Sequence, residues 1–153
     1  MFGDCTESKD NQVNCLLAWA KEREEKTQKI ISEIYEESDK GKLIIVEGKK
    51  DAQALRELGF NGRILEVKTG GKYFLDATAE IERVAAGEVI LLLDFDRRGV
   101  QGTQRLKENL ERTRIKVNTR FWQNLQYLVG RKINCIESLT SYLQTLQDQI
   151  SNL

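Results

Sequence analysis

The chain has 153 residues, of which 40% are hydrophobic and 31% charged, as in one ordinary globular domain. This length excludes a multi-domain polymerase, helicase or topoisomerase, and the absence of histidine excludes catalytic triads, imidazole bases and histidine-ligated zinc. The 24 basic and 24 acidic side chains balance overall, but residues 42–120 hold 16 basic against 12 acidic ones, which permits a phosphate-rich partner.

The cysteines and the apolar runs predict the compartment. Cys5, Cys15 and Cys135 are an odd number without a C-x-x-C pair, which argues against a zinc ribbon or a disulfide framework. No apolar run reaches the length of about 18 residues that a membrane span needs. The first ten residues also lack the basic and apolar regions of a signal peptide. We therefore expect a cytoplasmic protein without a membrane contact.

Residues 1–41 are predicted to form an N-terminal helical extension. Residues 1–12 are polar and carry no pattern, whereas apolar side chains recur at helical spacing from Val13 to Tyr35. Gly41 is placed to end this helix. No group with evident chemistry lies here, so we expect an apolar stripe that packs on the core, on a protein partner or on a second copy of the chain.

Residues 42–120 alternate between strand and helix patterns. Short apolar runs predict buried strands, and amphipathic stretches between them predict helices. The predicted strands are residues 43–46, 64–67, 89–93 and 115–117, and the predicted helices are residues 51–58, 74–84 and 100–112. This alternation predicts an α/β fold with a doubly wound parallel sheet of about four strands, helices on both faces, and the most apolar run, residues 89–93, at its centre.

Residues 121–153 are predicted to form a helical cap on the same domain. Asn134 and Glu137 have the spacing of a capping box ahead of an apolar helix that extends to Ile150. The side chains expected to cover the sheet before that helix are Trp122, Leu125, Tyr127 and Leu128.

Acidic side chains follow two predicted strands at their carboxyl ends, where open parallel sheets bind ligands. Glu47 follows the first strand, and Asp94 and Asp96 follow residues 89–93. Side chains two apart in a strand point to the same side, so Asp94 and Asp96 should project together. Glu47 reaches the same space if its strand is the neighbour of theirs, about 4.8 Å away. Three carboxylates this close repel each other, and a divalent cation relieves the repulsion. Mg²⁺ fits best, with Mn²⁺ as a substitute, because it takes a few carboxylates, water and phosphate oxygens.

Basic side chains and glycines flank these acids. The cations are Lys49, Lys50, Lys68, Lys72, Arg97 and Arg98, which suit a phosphodiester beside a carboxylate–metal centre. The second strand is followed by Gly70 and Gly71, which predict a tight turn at the same edge. Taken singly, each feature also has a structural explanation: Asp96 can cap a helix, and Glu47 and Gly48 can end a strand.

Three stretches in this order resemble the Toprim domain: IVEGKKD at 45–51, TGG at 69–71 and LLLDFDRRG at 91–99. That family includes bacterial-type primases, type IA and type II topoisomerases, recombination-repair proteins, old-family nucleases and a ribosomal-RNA maturation nuclease. The resemblance covers about residues 42–120. The LGF after the first helix and the IES at 136–138 are most similar to the stand-alone small Toprim proteins of archaea and bacteria.

The resemblance implies roles for the matching residues. Glu47 matches the family's general acid or base and contributes to its metal site, and Asp94 and Asp96 match its magnesium ligands. Gly48 would let the backbone turn beside the metal, and Gly99 would end the D-x-D-x-x-G turn. Elsewhere the sequence shows no zinc ribbon or helicase-binding region of a primase and no tyrosine-bearing cleavage domain of a topoisomerase. The expectation is a catalytic core without that specificity apparatus.

Two functions remain open. The first is a Mg²⁺-dependent phosphodiester enzyme, nuclease-like, that cleaves RNA or DNA with water activated by the metal or by Glu47. The second is a non-catalytic module that binds nucleic acid or a nucleotide through the metal within a larger assembly. A phosphatase of the haloacid dehalogenase type also has a strand ending in D-x-D, but there the motif opens the fold, and only 57 residues follow Asp96 here.

Overall fold

Helices and strands alternate along the chain, as the sequence predicts. The computed structural model describes residues 9–68 and 73–152. Its elements are α1 (Lys9–Asp39), β1 (Leu43–Val46), α2 (Lys49–Glu57), β2 (Ile64–Glu66), α3 (Phe74–Val84), β3 (Val89–Leu91), α4 (Arg97–Arg112), β4 (Val117–Asn118), α5 (Arg120–Val129), a 3₁₀ helix (Ile136–Ser138) and α6 (Leu139–Asn152). The predicted bounds of β1 and α3 are confirmed, and α2 and α4 begin two and three residues earlier than predicted.

The sheet has four parallel strands in the order β2-β1-β3-β4. Ile44 of β1 lies opposite Ile64 of β2 on one side and Ile90 of β3 on the other. The strands that precede Glu47 and Asp94 are therefore neighbours, which is the condition that the sequence argument left open. Since the strands are parallel, their carboxyl ends lie at one edge of the sheet.

Alternate side chains of β1 and β3 enter two separate cores. Ile44, Val46 and Ile90 pack with α1, α2, α5 and α6 on one face. Leu43, Ile45 and other residues of the alternate set pack with α3 and α4 on the other face. Both faces are covered, so these strands are continuously apolar, as is usual for parallel sheets. The predicted α/β architecture, a parallel sheet of four strands with helices on both faces, is thus confirmed.

The N-terminal helix packs on its own chain. α1 is one helix of 31 residues, and its buried side chains include Ala20, Ile31 and Ile34. It lies against α5 and α6, which gives the apolar stripe an intramolecular partner. Gly41, with φ +95°, follows the helix in the left-handed conformation that glycine adopts most readily.

Two predictions for the C-terminal segment are wrong. Glu137 forms no capping box with Asn134: residues 136–138 form a 3₁₀ helix, and the backbone N–H of Glu137 donates to Asp51 at 2.8 Å. Tyr127 does not cover the sheet, because it is 91% exposed. It follows buried Leu125 by two residues, which in a helix places it on the opposite side.

The two cysteines among the described residues differ in state. Cys15 is disulfide-bonded, which is a single bond and not the disulfide framework that the cysteine count argued against. Cys135 is a free thiol. Within residues 9–68 and 73–152, no helix is both long and apolar enough to cross a bilayer.

The interior position of β3 predicts slow amide exchange. Residues 89–93 are at most 1% exposed, and β3 is paired on both sides, by β1 and β4. We expect these amides to be among the slowest in native-state hydrogen exchange, because they open only when the sheet does. The edge strand β4 provides the comparison within the same sheet. Exchange of residues 89–93 as fast as that of β4 would contradict the assignment of β3 as the central strand.

Candidate functional site

Glu47 and Asp94 meet at the carboxyl edge of the sheet. Glu47 directly follows β1, and the backbone N–H of Asp94 donates to Glu47 Oε2 at 3.3 Å. Both side chains are half-buried. Burial, a hydrogen bond with Glu47 and the charges of Glu47, Asp51 and Asp96 raise the pKa of Asp94 to about 8. Two carboxyl groups in contact, held partly away from water, favour either a shared proton or a cation between them.

Asp96 is the N-cap of α4. Its side chain accepts a hydrogen bond from the backbone N–H of Gly99 at 2.8 Å, and the residue is exposed. Its charge contributes to the raised pKa of Asp94, so it lies within electrostatic reach of the pair. β3 ends at Leu91, so strand alternation no longer fixes the directions of Asp94 and Asp96. Asp96 therefore caps a helix, which is the structural explanation that the sequence also allows, and it flanks the Glu47–Asp94 pair.

Gly99 lets α4 approach the backbone of Asp94. It is the third residue of α4, so it lies inside the helix instead of ending the turn. A Cβ atom at Gly99 would lie 2.0 Å from the carbonyl oxygen of Asp94. Any side chain there must push α4 and Asp94 apart. The glycine of the D-x-D-x-x-G pattern is thus needed for this close packing.

Gly99→Ala tests that contact. The added methyl group overlaps backbone atoms that have no rotamer to change, so we expect a loss of about 1–3 kcal/mol in the free energy of unfolding. Thermal denaturation measures the loss. Gln101→Ala, at an exposed position of the same helix, is the matched control and should change stability little. Equal melting temperatures for Gly99→Ala and wild type would contradict the close approach.

Asp51 connects α2 to the C-terminal segment. It is 6% exposed, and its Oδ1 accepts the 2.8 Å hydrogen bond from the Glu137 backbone N–H. It also accepts from the backbone N–H of Gly48, the N-cap of α2. Burial raises the pKa of Asp51, and these two backbone hydrogen bonds oppose the rise. Asp51 was not among the predicted site residues, although an aspartate three residues after Gly48 has the spacing of a reciprocal helix cap.

A second acidic group lies next to Asp51. Asp51, Cys135 and Glu137 each offer one potential ligand atom, and these atoms all lie within 4.8 Å of one another. Among the residues that the structure describes, this is the one set of three that meets that distance. These three atoms are therefore close enough together to hold one metal ion. Glu47, Asp94 and Asp96 are not gathered as closely, so their assignment as a ligand set remains a prediction.

The predicted basic residues occupy the first turns of two helices. Lys49 and Lys50 open α2, Arg97 and Arg98 open α4, and all four are exposed. Both helices begin just after Glu47 and Asp94, so their N-terminal N–H groups add positive potential at the same edge. Lys68 is exposed, and its Nζ lies 5.3 Å from the ring centroid of Tyr73. The remaining predicted residues, Lys72, Gly70 and Gly71, lie outside the described residues.

Gly48 links β1 to α2, and its predicted role in a turn beside a metal stays a prediction. It lies between β1 and α2 with extended backbone angles, φ −137° and ψ 161°. A Cβ atom there would lie 3.3 Å from Asp51 Oδ2, so the position is tight but not closed to a side chain.

Comparisons with known proteins agree with this fold. Residues 41–119 match the family model of the Toprim domain. A UPF0292 protein of Methanocaldococcus jannaschii is 37% identical over 119 residues, which cover 78% of this chain and 91% of that protein. A UPF0292 protein of Methanosarcina acetivorans is 32% identical over 84% of this chain and 88% of its own length. A solved structure of an Aquifex aeolicus protein, 29% identical, superimposes with a TM-score of 0.58 and covers 72% of this chain and 95% of that one.

Proposed function

The chain belongs to the Toprim domain family, whose members have metal-dependent functions on nucleic acids, and from that premise we propose that it is a Mg²⁺-dependent, nuclease-like enzyme that cleaves phosphodiesters. The observation that supports this most directly is the contact between Glu47 and Asp94 at the ends of adjacent strands. A pure packing role would not require two carboxyl groups to share a half-buried position, since each charge raises the energy of the other.

The donor atoms fit a hard divalent cation. Carboxylate oxygens are the ligands that Mg²⁺ prefers, and Mn²⁺ accepts the same set. Glu47 and Asp94 would hold the ion, and Asp96 would add an oxygen while it caps α4. When bound, such an ion lowers the pKa of a coordinated water and offsets charge on the phosphate.

The protein's own groups would then guide the reaction. Glu47 would take a proton from the attacking water as its oxygen bonds to phosphorus. The bond between phosphorus and the leaving oxygen breaks, and that oxygen takes a proton from protonated Glu47 or from solvent water. Lys49, Lys50, Arg97 and Arg98 would hold the phosphate and stabilise its developing negative charge. Their exposure leaves this edge of the sheet open to a polymer.

Two observations favour the non-catalytic alternative. Asp96 already accepts a hydrogen bond from Gly99, and the three predicted carboxylates are less closely gathered than Asp51, Cys135 and Glu137. A site with two principal carboxylates could anchor a phosphate through an ion without turnover. This module would bind nucleic acid in a metal-dependent way and leave it intact.

Incubation with several substrates separates these two functions. The purified chain is mixed with labelled structured RNA, single-stranded DNA and supercoiled plasmid, each with Mg²⁺, Mn²⁺ or EDTA. The proposed enzyme should cleave at least one substrate with a metal and none in EDTA. Metal-dependent binding without cleavage of any substrate would overturn catalysis in favour of the binding module.

A further inference from the structure

A groove between α1, α5 and α6 concentrates basic and aromatic side chains. Its basic residues are Arg23, Arg131 and Lys132, and its aromatic residues are Trp19, Tyr127 and Tyr142. Two glutamines and a leucine complete the lining, so none of the described residues that line it is acidic. On a chain whose 24 basic and 24 acidic side chains cancel, this groove is locally complementary to an anion.

The aromatic side chains present faces that a planar ring can stack on. Tyr127 is 91% exposed, and Trp19 is 38% exposed. The guanidinium carbon of Arg23 lies 5.6 Å from the ring centroid of Trp19. The hydroxyl of Tyr142 is buried and has no hydrogen-bond partner among the described residues, which leaves a polar group unsatisfied in the groove wall. Exposed rings beside cations suit a ligand that combines planar rings with negative charge.

The basic end of the groove adjoins the segment that carries Asp94. The carbonyl of Asn134, two residues after Lys132, accepts a 2.6 Å hydrogen bond from the backbone N–H of Phe95. Two residues span at most about 8 Å between Cα atoms, so Lys132 lies close to the D-x-D segment. A polymer in the groove would therefore lie beside the segment that carries Asp94.

We propose that this groove binds a single strand of nucleic acid and leads it to the Glu47–Asp94 site. Tyr127 stacks on a base, and Arg131 and Lys132 contact phosphates. A base can stack on a side chain only when it is unpaired, so the groove selects single strands over duplexes. The delivery of the strand to the site rests on the proposed function, whereas binding in the groove needs no metal.

Fluorescence anisotropy in EDTA tests the groove independently of catalysis. The probes are fluorescein-labelled single strands of about 12 nucleotides, one of RNA and one of DNA. The probe with the lower Kd identifies which of the two nucleic acids the groove binds. We expect Tyr127→Leu to raise Kd about 5- to 50-fold, and Tyr127→Phe, which keeps the ring, to stay near wild type. Leu75→Ala removes a 75% exposed apolar side chain from α3 on the other face and is the matched control.

The salt dependence tests the phosphate contacts. Arg131→Ala and Lys132→Ala should each lower the slope of log K against log salt by about 0.7, the value for one phosphate of a single strand. Arg112→Ala, on α4, should leave the slope unchanged. Unchanged Kd in Tyr127→Leu, or unchanged slopes in both cation variants, overturns the groove even if the wild type cleaves with Mg²⁺. Binding in EDTA that depends on Tyr127, without cleavage in Mg²⁺, supports the groove and overturns the proposed catalysis.

Discussion

Glu47→Gln is expected to slow phosphodiester cleavage about 10²- to 10⁴-fold, the usual contribution of a positioned acid or base. Glutamine keeps the shape of the side chain and an oxygen that can face an ion, but it cannot accept a proton from water. Substrate binding should stay near that of wild type, and it should tighten slightly if anything, because one negative charge beside an anionic substrate has gone. Single-turnover cleavage and equilibrium binding of the same labelled substrate measure the two effects separately.

The matched control for this substitution is Glu82→Gln. Glu82 is an exposed glutamate of α3, on the other face of the sheet, and its replacement should leave both rate and binding unchanged. Glu47→Gln that cleaves as fast as wild type would remove Glu47 from the proton transfer. Glu47→Gln that loses binding and cleavage together would indicate that the carboxylate serves as a ligand and not as a base.

The sheet was predictable because apolar runs and turn signals agree along residues 42–120. A strand buried on both faces must be apolar throughout, so the continuous apolar runs at 43–46 and 89–93 predict buried strands. The exposure of Tyr127 on α5 was not predictable in the same way. A short stretch of mixed aromatic and apolar residues fits either face of a helix, and only its packing against α1 and the core decides which side is buried.

The sequence places Glu47 and Asp94 at the carboxyl ends of two predicted strands, and the observed strand order makes those strands neighbours. The second role of Asp96 was foreseen as an alternative, since an aspartate before a helix is a common N-cap. Asp51 and Glu137 were missed because their contact joins residues 86 positions apart, through a backbone N–H that has no sequence signature. The local sequence pattern predicts a capping box between Asn134 and Glu137. In the fold, the backbone N–H of Glu137 donates to the buried Asp51 instead.

Asp94→Asn is expected to stabilise the metal-free protein at alkaline pH and to abolish its stabilisation by Mg²⁺. The pKa of Asp94 is raised from its ordinary value of 3.8 to about 8, so the folded state favours the protonated form. The stability from that preference is complete below about pH 4, declines as pH rises and is lost as pH passes through about 8. Asparagine resembles the neutral acid at every pH, so the variant does not lose this stability as pH rises.

The size of the effect follows from the partial burial of Asp94. With allowance for solvent screening, ionised Asp94 should cost on the order of 1–2 kcal/mol, which corresponds to roughly 2–8 °C in Tm for a chain of this length.

In EDTA, wild type and Asp94→Asn should melt together near pH 4 and diverge toward pH 9, with the variant higher. Mg²⁺ at high pH should then raise the Tm of wild type but not that of the variant, because binding to the folded state alone stabilises it. Asp76→Asn, an exposed aspartate of α3, should follow wild type under all these conditions. Parallel melting curves for Asp94→Asn and wild type across this pH range would contradict the raised pKa, and an equal response to Mg²⁺ would remove Asp94 from the metal site.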